Sequence, residues 1–246
     1  MTATTEENTF FDPNIRTPEM GSHMPTPPPA HSSTDSVAVR LLVVEAVEAA
    51  AELMSRPSVG DAWAEPSALE GMTVGGLAAH LVRAAGATVA YLDRTPADAQ
   101  PDGDLLTPVT YFHAAVDSPI HEQIKRVSAD ESEIGHAAMA TKCSDLAAHL
   151  RQRLADEPSD RLIGALGGRM LTLDDFCRTR LIEVLLHLDD LAISVGEPRP
   201  ETDPRGVAVV IEILENIARR VHGDWEVVYA LARSERLGDQ PVFPVF

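Results

Sequence analysis

The sequence predicts an all-α fold: a four-helix bundle with extra C-terminal helices behind a disordered N-terminal tail. Three observations carry that prediction. From residue 35 onward Ala, Leu and Val recur at helical spacing, and no strand pattern is sustained enough to build a sheet. Aromatic residues are only 4% of the chain against 44% apolar, so the core must be built from small aliphatic side chains that suit close-packed helices. The 246 residues are ample for one hydrophobic core. With 38 acidic against 20 basic side chains the formal charge is −18, which argues against wrapping nucleic acid or lying on an anionic membrane. No apolar run approaches the roughly 18 to 20 residues that span a bilayer. The N-terminus lacks a basic region followed by an apolar stretch, and Cys143 and Cys177 are too few for a disulfide scaffold. A soluble, cytoplasmic protein is the expectation.

In chain order, residues 1–34 read as a flexible tail. Six of the 18 prolines fall before residue 30, among many Thr, Ser and Glu, leaving too little apolar area to offset ordering entropy. Gly21-Ser22-His23-Met24 resembles either the remnant of a cleaved tag, to residue 23, or a natural tail. The bundle spans 35–222. Asp35 or Ser36 caps a first helix to about Ser55, and Pro57, Gly60, Pro66 and Gly71 mark a loop holding Trp63. Thr73 caps a second helix, 74 to about 94, stopped by Pro96. Loop and a short helix fill the Pro101–Pro108 region, and a long helical pattern covers 118–156, broken near Gly135. After a glycine-rich loop at 164–168, Thr172 with Asp175 resembles a capping box opening a helix to about Val195, ended by Gly196 and Pro198. Helical stretches at 204–222 and 224–236 precede a short extended end, so 223–246 form a C-terminal helix and tail.

The segment Leu173–Ser194 carries charges where a core should be. At 100° per residue Phe176, Arg180, Glu183, His187 and Asp190 share one narrow stripe, while aliphatic residues cover the rest of the circumference. One reading is a wet edge laced by the i,i+3 and i,i+4 ion pairs Arg180–Glu183–His187, about 0.2–0.5 kcal/mol each. The other is a metal site: Glu183 and His187 stand one turn apart and can hold one divalent cation, with a third ligand from another helix. Two histidines compete for that place, because Leu77-Ala78-Ala79-His80-Leu81 recurs as Leu146-Ala147-Ala148-His149-Leu150. Periodicity does not choose between His80 and His149.

A resemblance does. Trp63 followed by Pro66–Leu81, with Thr73-Val74-Gly75-Gly76-Leu77-Ala78-Ala79-His80 inside it, resembles the opening of the mycothiol-dependent maleylpyruvate isomerase family, which belongs to the DinB-like metal-binding four-helix bundles. The family's tryptophan before that Thr-Val run is Met72 here. Arg178-Thr179-Arg180-Leu181-Ile182-Glu183-Val184-Leu185-Leu186-His187-Leu188-Asp189-Asp190-Leu191 resembles the family's second motif, Arg-x-x-Glu-x-x-x-His-x-x-Asp-Leu, about 100 residues on. The resemblance covers roughly 36–222. It implies that His80, Glu183 and His187 hold one divalent metal, usually zinc, and that Trp63 is a structural anchor.

The implied chemistry is thiol activation. A thiol of pKa about 8.5 loses its proton more readily beside a cation. The family's thiol is mycothiol, the small thiol of actinobacteria, which would add to a small electrophilic substrate as an S-transferase or a cis-trans isomerase. Arg180 and Arg83 are the candidates for holding an anionic substrate or stabilising an enolate, and Arg180 can equally orient Glu183. Asp190 is placed to accept the far N–H of a ligand histidine. The family's isomerase is expected to carry a mixed α/β domain after the bundle; only about 24 residues follow His222, which favours a bundle-only relative with another electrophile. The alternative is a non-catalytic, metal-stabilised binding or regulatory module. The sequence does not set the oligomeric state, a homodimer included.

Overall fold

A computed structural model describes residues 33–116, 120–165, 168–237 and 241–245. Among them are nine α-helices and one two-stranded ribbon, in the order α1 Ser33–Met54, α2 Pro57–Asp61, α3 Val74–Arg94, α4 Pro108–Val116, α5 Ile120–Ser132, α6 His136–Ala155, β1 Leu162–Gly164, β2 Met170–Thr172, α7 Leu173–Ser194, α8 Pro204–His222 and α9 Asp224–Ala232, with a 3₁₀ turn at Ser234–Arg236. The predicted tail lies outside the described residues except for Ser33 and Thr34, which open α1. No described helix is long and apolar enough to cross a membrane.

The bundle is α1, α3, α6 and α7. α1 packs on both α6 and α7, α3 packs on α7 and α6, and α5 lies against the outside of α3. The core is aliphatic, with Leu53, Leu77, Leu81, Leu150, Leu173 and Leu181 fully buried and Phe176 the largest enclosed side chain. Burial on this scale, about 25 cal/mol per Å² of apolar surface, is what holds helices that propensity alone would not.

Helix starts follow local hydrogen bonding. The Thr73 hydroxyl accepts from the Gly76 N–H and starts α3, and the Thr172 hydroxyl accepts from the Asp175 N–H and starts α7. Asp203 caps α8 in the same way, ahead of Pro204 at the first turn. Past the end of α7, Gly196 takes φ 67°, a left-handed conformation that glycine adopts without steric cost.

Three expectations change. α1 opens at Ser33, so Asp35 and Ser36 lie inside the helix and do not cap it. The loop after α1 contains the extra turn α2, whose Pro57 provides a helix-ready first residue. The segment around the glycine-rich loop, in which no sheet is predicted, forms the antiparallel ribbon β1–β2, pairing Leu162 with Thr172 and Gly164 with Met170. Three residues per strand are too few to leave an alternating pattern. The ribbon is held by its surroundings: Leu106 N–H donates to Met170 O, and Gly164 N–H donates to the Thr95 hydroxyl at 2.9 Å.

Arg161, at the foot of the ribbon, ties two helices together. Its guanidinium donates to Leu92 O at 3.1 Å and to Pro96 O at 2.8 Å, carbonyls at the C-terminal end of α3. Its own carbonyl accepts from the Leu173 N–H at the start of α7, at 2.8 Å. Arg40 does the same elsewhere: it pairs with Asp174 at 2.7 Å and donates to Glu157 O and Pro158 O past the end of α6. Both cations are buried, and such groups persist in a core only when their donors are matched this fully.

Candidate metal centre

The packing of α3 on α7 sets His80 opposite Glu183 and His187. His80 Nε2 lies 3.1 Å from His187 Nε2, 3.7 Å from Glu183 Oε2, and the same carboxylate oxygen lies 3.6 Å from His187 Nε2. A tetrahedral ion at about 2.0–2.1 Å from each donor would set these edges near 3.3–3.4 Å, within a few tenths of an ångström of the triangle present. The two imidazoles stand edge to face, with ring planes at 70°, so both Nε2 atoms aim at the shared space rather than stacking.

Burial along the α7 stripe bears on the wet-edge reading. Phe176 and Arg180 are buried, and the rest of the stripe is only partly exposed, with side-chain exposures of 23% at Glu183, 15% at His187 and 31% at Asp190. A wet edge would be exposed along its whole length. The stripe instead descends from a mouth into the core.

Electrostatics favour a charged carboxylate. Burial pushes the Glu183 carboxyl up, but hydrogen bonds from His187 and His80 and the Arg180 charge outweigh it and hold Glu183 well below the usual range. Burial lowers the His187 pKa, yet its bond to Asp190, then Glu183, raise it to about 9. Its Nδ1 stands 3.0 Å from Asp190 Oδ2, the arrangement that leaves Nε2 facing the other donors. His80 Nδ1 is buried with no protein hydrogen-bond partner.

Arg180 lies one turn deeper and is only 5% exposed. It donates to Ala84 O, to the Thr179 hydroxyl and to the Tyr111 hydroxyl, and its guanidinium sits 4.7 Å above the Phe176 ring. Among the described residues no carboxylate is at ion-pair distance from it, so Glu183 is felt through the low-dielectric interior. Tyr111, on α4, is the residue that sequence reasoning did not single out here. No spacing links it to α7, and only the docking of α4 on that helix brings it in.

The remaining predicted residues go elsewhere. Arg83 forms a two-pronged ion pair with Glu131 of α5, through Nε at 2.9 Å and through Nη2. His149 stands exposed on α6, away from the triangle's donor set. Trp63 is half-buried, donates from its indole N–H to Ser132 O at 3.2 Å, and rests on the α3 backbone at Gly75. A Cβ there would come within 2.6 Å of the indole, so this close approach needs glycine. Met72 fills its place as a buried side chain. Cys143 and Cys177 are both buried, and burial pushes each thiol to about 12, which makes them inert packing groups.

A family model described as the mycothiol maleylpyruvate isomerase N-terminal domain matches residues 43–192, a span that holds His80, Glu183 and His187. No curated protein and no solved structure matches the chain.

Proposed function

The chain belongs to the mycothiol maleylpyruvate isomerase N-terminal domain family, with its all-α, DinB-like fold, and on that premise we propose that it is a metalloenzyme activating a thiol for addition to a small electrophile. Mycothiol is the thiol that family membership implies. The metal ligands in this reading are His80, Glu183 and His187, the ion zinc, and the reaction class an S-transfer or a cis-trans isomerisation. The observation that carries it is the convergence of three donor atoms from helices whose histidines lie 107 positions apart.

A bound divalent cation supplies the positive charge that draws a thiol of pKa about 8.5 toward ionisation at neutral pH. The chain's own groups prepare for it. Asp190 accepts a hydrogen bond from His187 Nδ1–H, which leaves Nε2 aimed at the site, where it would give up its proton to a bound cation. Glu183 stays ionised, so two neutral imidazoles and one carboxylate would leave a divalent centre with a net charge of about +1. Arg180, its donors engaged by Tyr111, Thr179 and Ala84, contributes a buried positive charge that helps keep Glu183 ionised. Arg83 meets an anionic substrate only by exchanging its bond to Glu131. Most aliphatic residues of α7 are buried, with Leu186 and Ile193 reaching solvent.

The test is elemental analysis of the purified protein with calorimetric titration of mycothiol. One equivalent of metal and saturable thiol binding, both lost in Glu183→Ala, are expected. Full metal occupancy and unchanged thiol binding in that variant would overturn the reading. A metal-dependent melting temperature without thiol consumption across a panel of electrophiles would assign the chain to a non-catalytic, metal-stabilised binding module instead.

A further inference from the structure

A groove of about 410 Å³ runs between α3 and α6, and none of the candidate metal ligands lines it. That volume lies within the usual range of small-molecule sites. Its floor is made of small and aliphatic residues, chiefly Gly86, Ala87, Ala90 and Leu146. One end is closed by the Arg83–Glu131 pair and the other by Arg94, whose guanidinium lies 4.6 Å over the Tyr91 ring. Eleven residues of α3 separate the two arginines, about 16 Å along the helix axis.

Gly86 shows that the groove is not a by-product of tight helix packing. A Cβ on Gly75 would collide with Trp63, but a Cβ on Gly86 would meet only the Leu146 methyls, at 3.7 and 3.9 Å, which is ordinary contact. Alanine therefore fits at 86, and alanine is the better helix former. Packing does not require the glycine. What it leaves is depth between the two helices, at a cost in helix stability that proteins accept at functional surfaces.

The rim supplies the sign of the ligand. Lys142 is exposed and has no carboxylate at ion-pair distance among the described residues, and Arg94 is occupied by an aromatic face rather than an acid. Arg83 is already neutralised by Glu131, and Asp145 is the remaining acidic group on the rim. In a chain of formal charge −18 this is a local excess of positive charge over an apolar floor. We propose that the groove between α3 and α6 binds a small organic anion with a flat apolar body, the body on Gly86, Ala87, Ala90 and Leu146 and the anionic group against Arg94 and Lys142.

The probe is 8-anilinonaphthalene-1-sulfonate, titrated against the full chain by fluorescence, with the uncharged N-phenyl-1-naphthylamine as its control. A single saturable site is expected, with the sulfonate bound about tenfold tighter than the neutral probe. Gly86→Leu fills the floor and lowers affinity at least tenfold, and Gly86→Ala weakens it several-fold while raising the melting temperature. The exposed double substitution Arg94→Gln with Lys142→Glu lowers sulfonate affinity about tenfold without touching the core, so it decides the matter even if Gly86→Leu does not fold. Binding that survives both the filled floor and the double substitution, as it would if the probe sat on the exposed Trp225 and Leu231 of α9, overturns the proposal. So does a Gly86→Ala protein that melts lower than the parent, or equal affinity for the charged and neutral probes.

Discussion

Leu-Ala-Ala-His-Leu occurs at 77–81 on α3 and again at 146–150 on α6, and the two copies live in different surroundings. On α3 both leucines and the first alanine are completely buried, and the histidine is turned inward, 12% exposed, to meet α7. On α6 Leu150 is buried, Leu146 is only half covered, and Ala148 and His149 face solvent. Five identical letters establish which side chains share a helix face and nothing about where that face points. α3 is enclosed by α5, α6 and α7, whereas α6 packs on α1 and α3, borders the groove on its α3 side and turns its remaining face to solvent.

Exchanging the two histidines for alanine tests that contrast most severely. His80→Ala should reduce bound metal from about one equivalent to nearly none by elemental analysis, while His149→Ala leaves the content unchanged and stability within about 0.5 kcal/mol. The leucines give the next largest difference. Leu77→Ala should cost about 2–5 kcal/mol in denaturant unfolding, and Leu146→Ala, already half exposed, about 1 kcal/mol. A similar cost at both sites would mean that α6 is as enclosed as α3.

Neither copy has an acidic neighbour one turn beyond its histidine, of the kind Asp190 provides for His187. Asp190→Asn should weaken metal binding about 10- to 100-fold in chelator competition, leaving stoichiometry intact at saturating metal. The finest effect is on pH. The folded His187 pKa, about 9, lies above its unfolded value of 6.5, so its contribution to the metal-free protein is complete below pH 6.5 and lost as pH rises through 9. The melting temperature of the metal-free protein should fall across that window. Metal binding at Nε2 expels the same proton, so affinity should rise about tenfold per pH unit until about 9 and then level off. A flat profile in both measurements would show that His187 is neutral from the outset.

Much of the bundle was legible because its helices are punctuated locally. Thr73, Thr172, Gly135, Pro158 and Gly196 act within a turn of themselves, and the predicted limits of α3 and α7 stand within a residue or two of those observed. The α7 stripe was legible as a stripe, and Asp190 as a partner of His187 follows from a spacing of three. What faced that stripe was not legible in periodicity, since choosing between His80 and His149 that way needs the rotation of two helices about their axes, a tertiary quantity; the family motif around His80 is what singled it out. Arg83 illustrates the same limit. Its position one turn from His80 suggests a role beside the substrate, but α5 docks against α3 and supplies Glu131 to it. The β1–β2 ribbon escaped for another reason: three-residue strands are stabilised by Arg161, Thr95 and Leu106, not by any pattern of their own.

Arg161 gives that ribbon a second meaning. By gripping the last carbonyls of α3 while its own carbonyl receives the first amide of α7, it makes a fulcrum for the two ligand-bearing helices at one end of the molecule. His80 lies twelve residues away from Leu92, an arm of about 18 Å, over which a tilt of about 3° would swing the imidazole by about 1 Å. Coordination tolerates roughly half of that displacement. The geometry of the donor triangle therefore depends on a contact far from it, and losing that contact would let the three donor atoms drift apart.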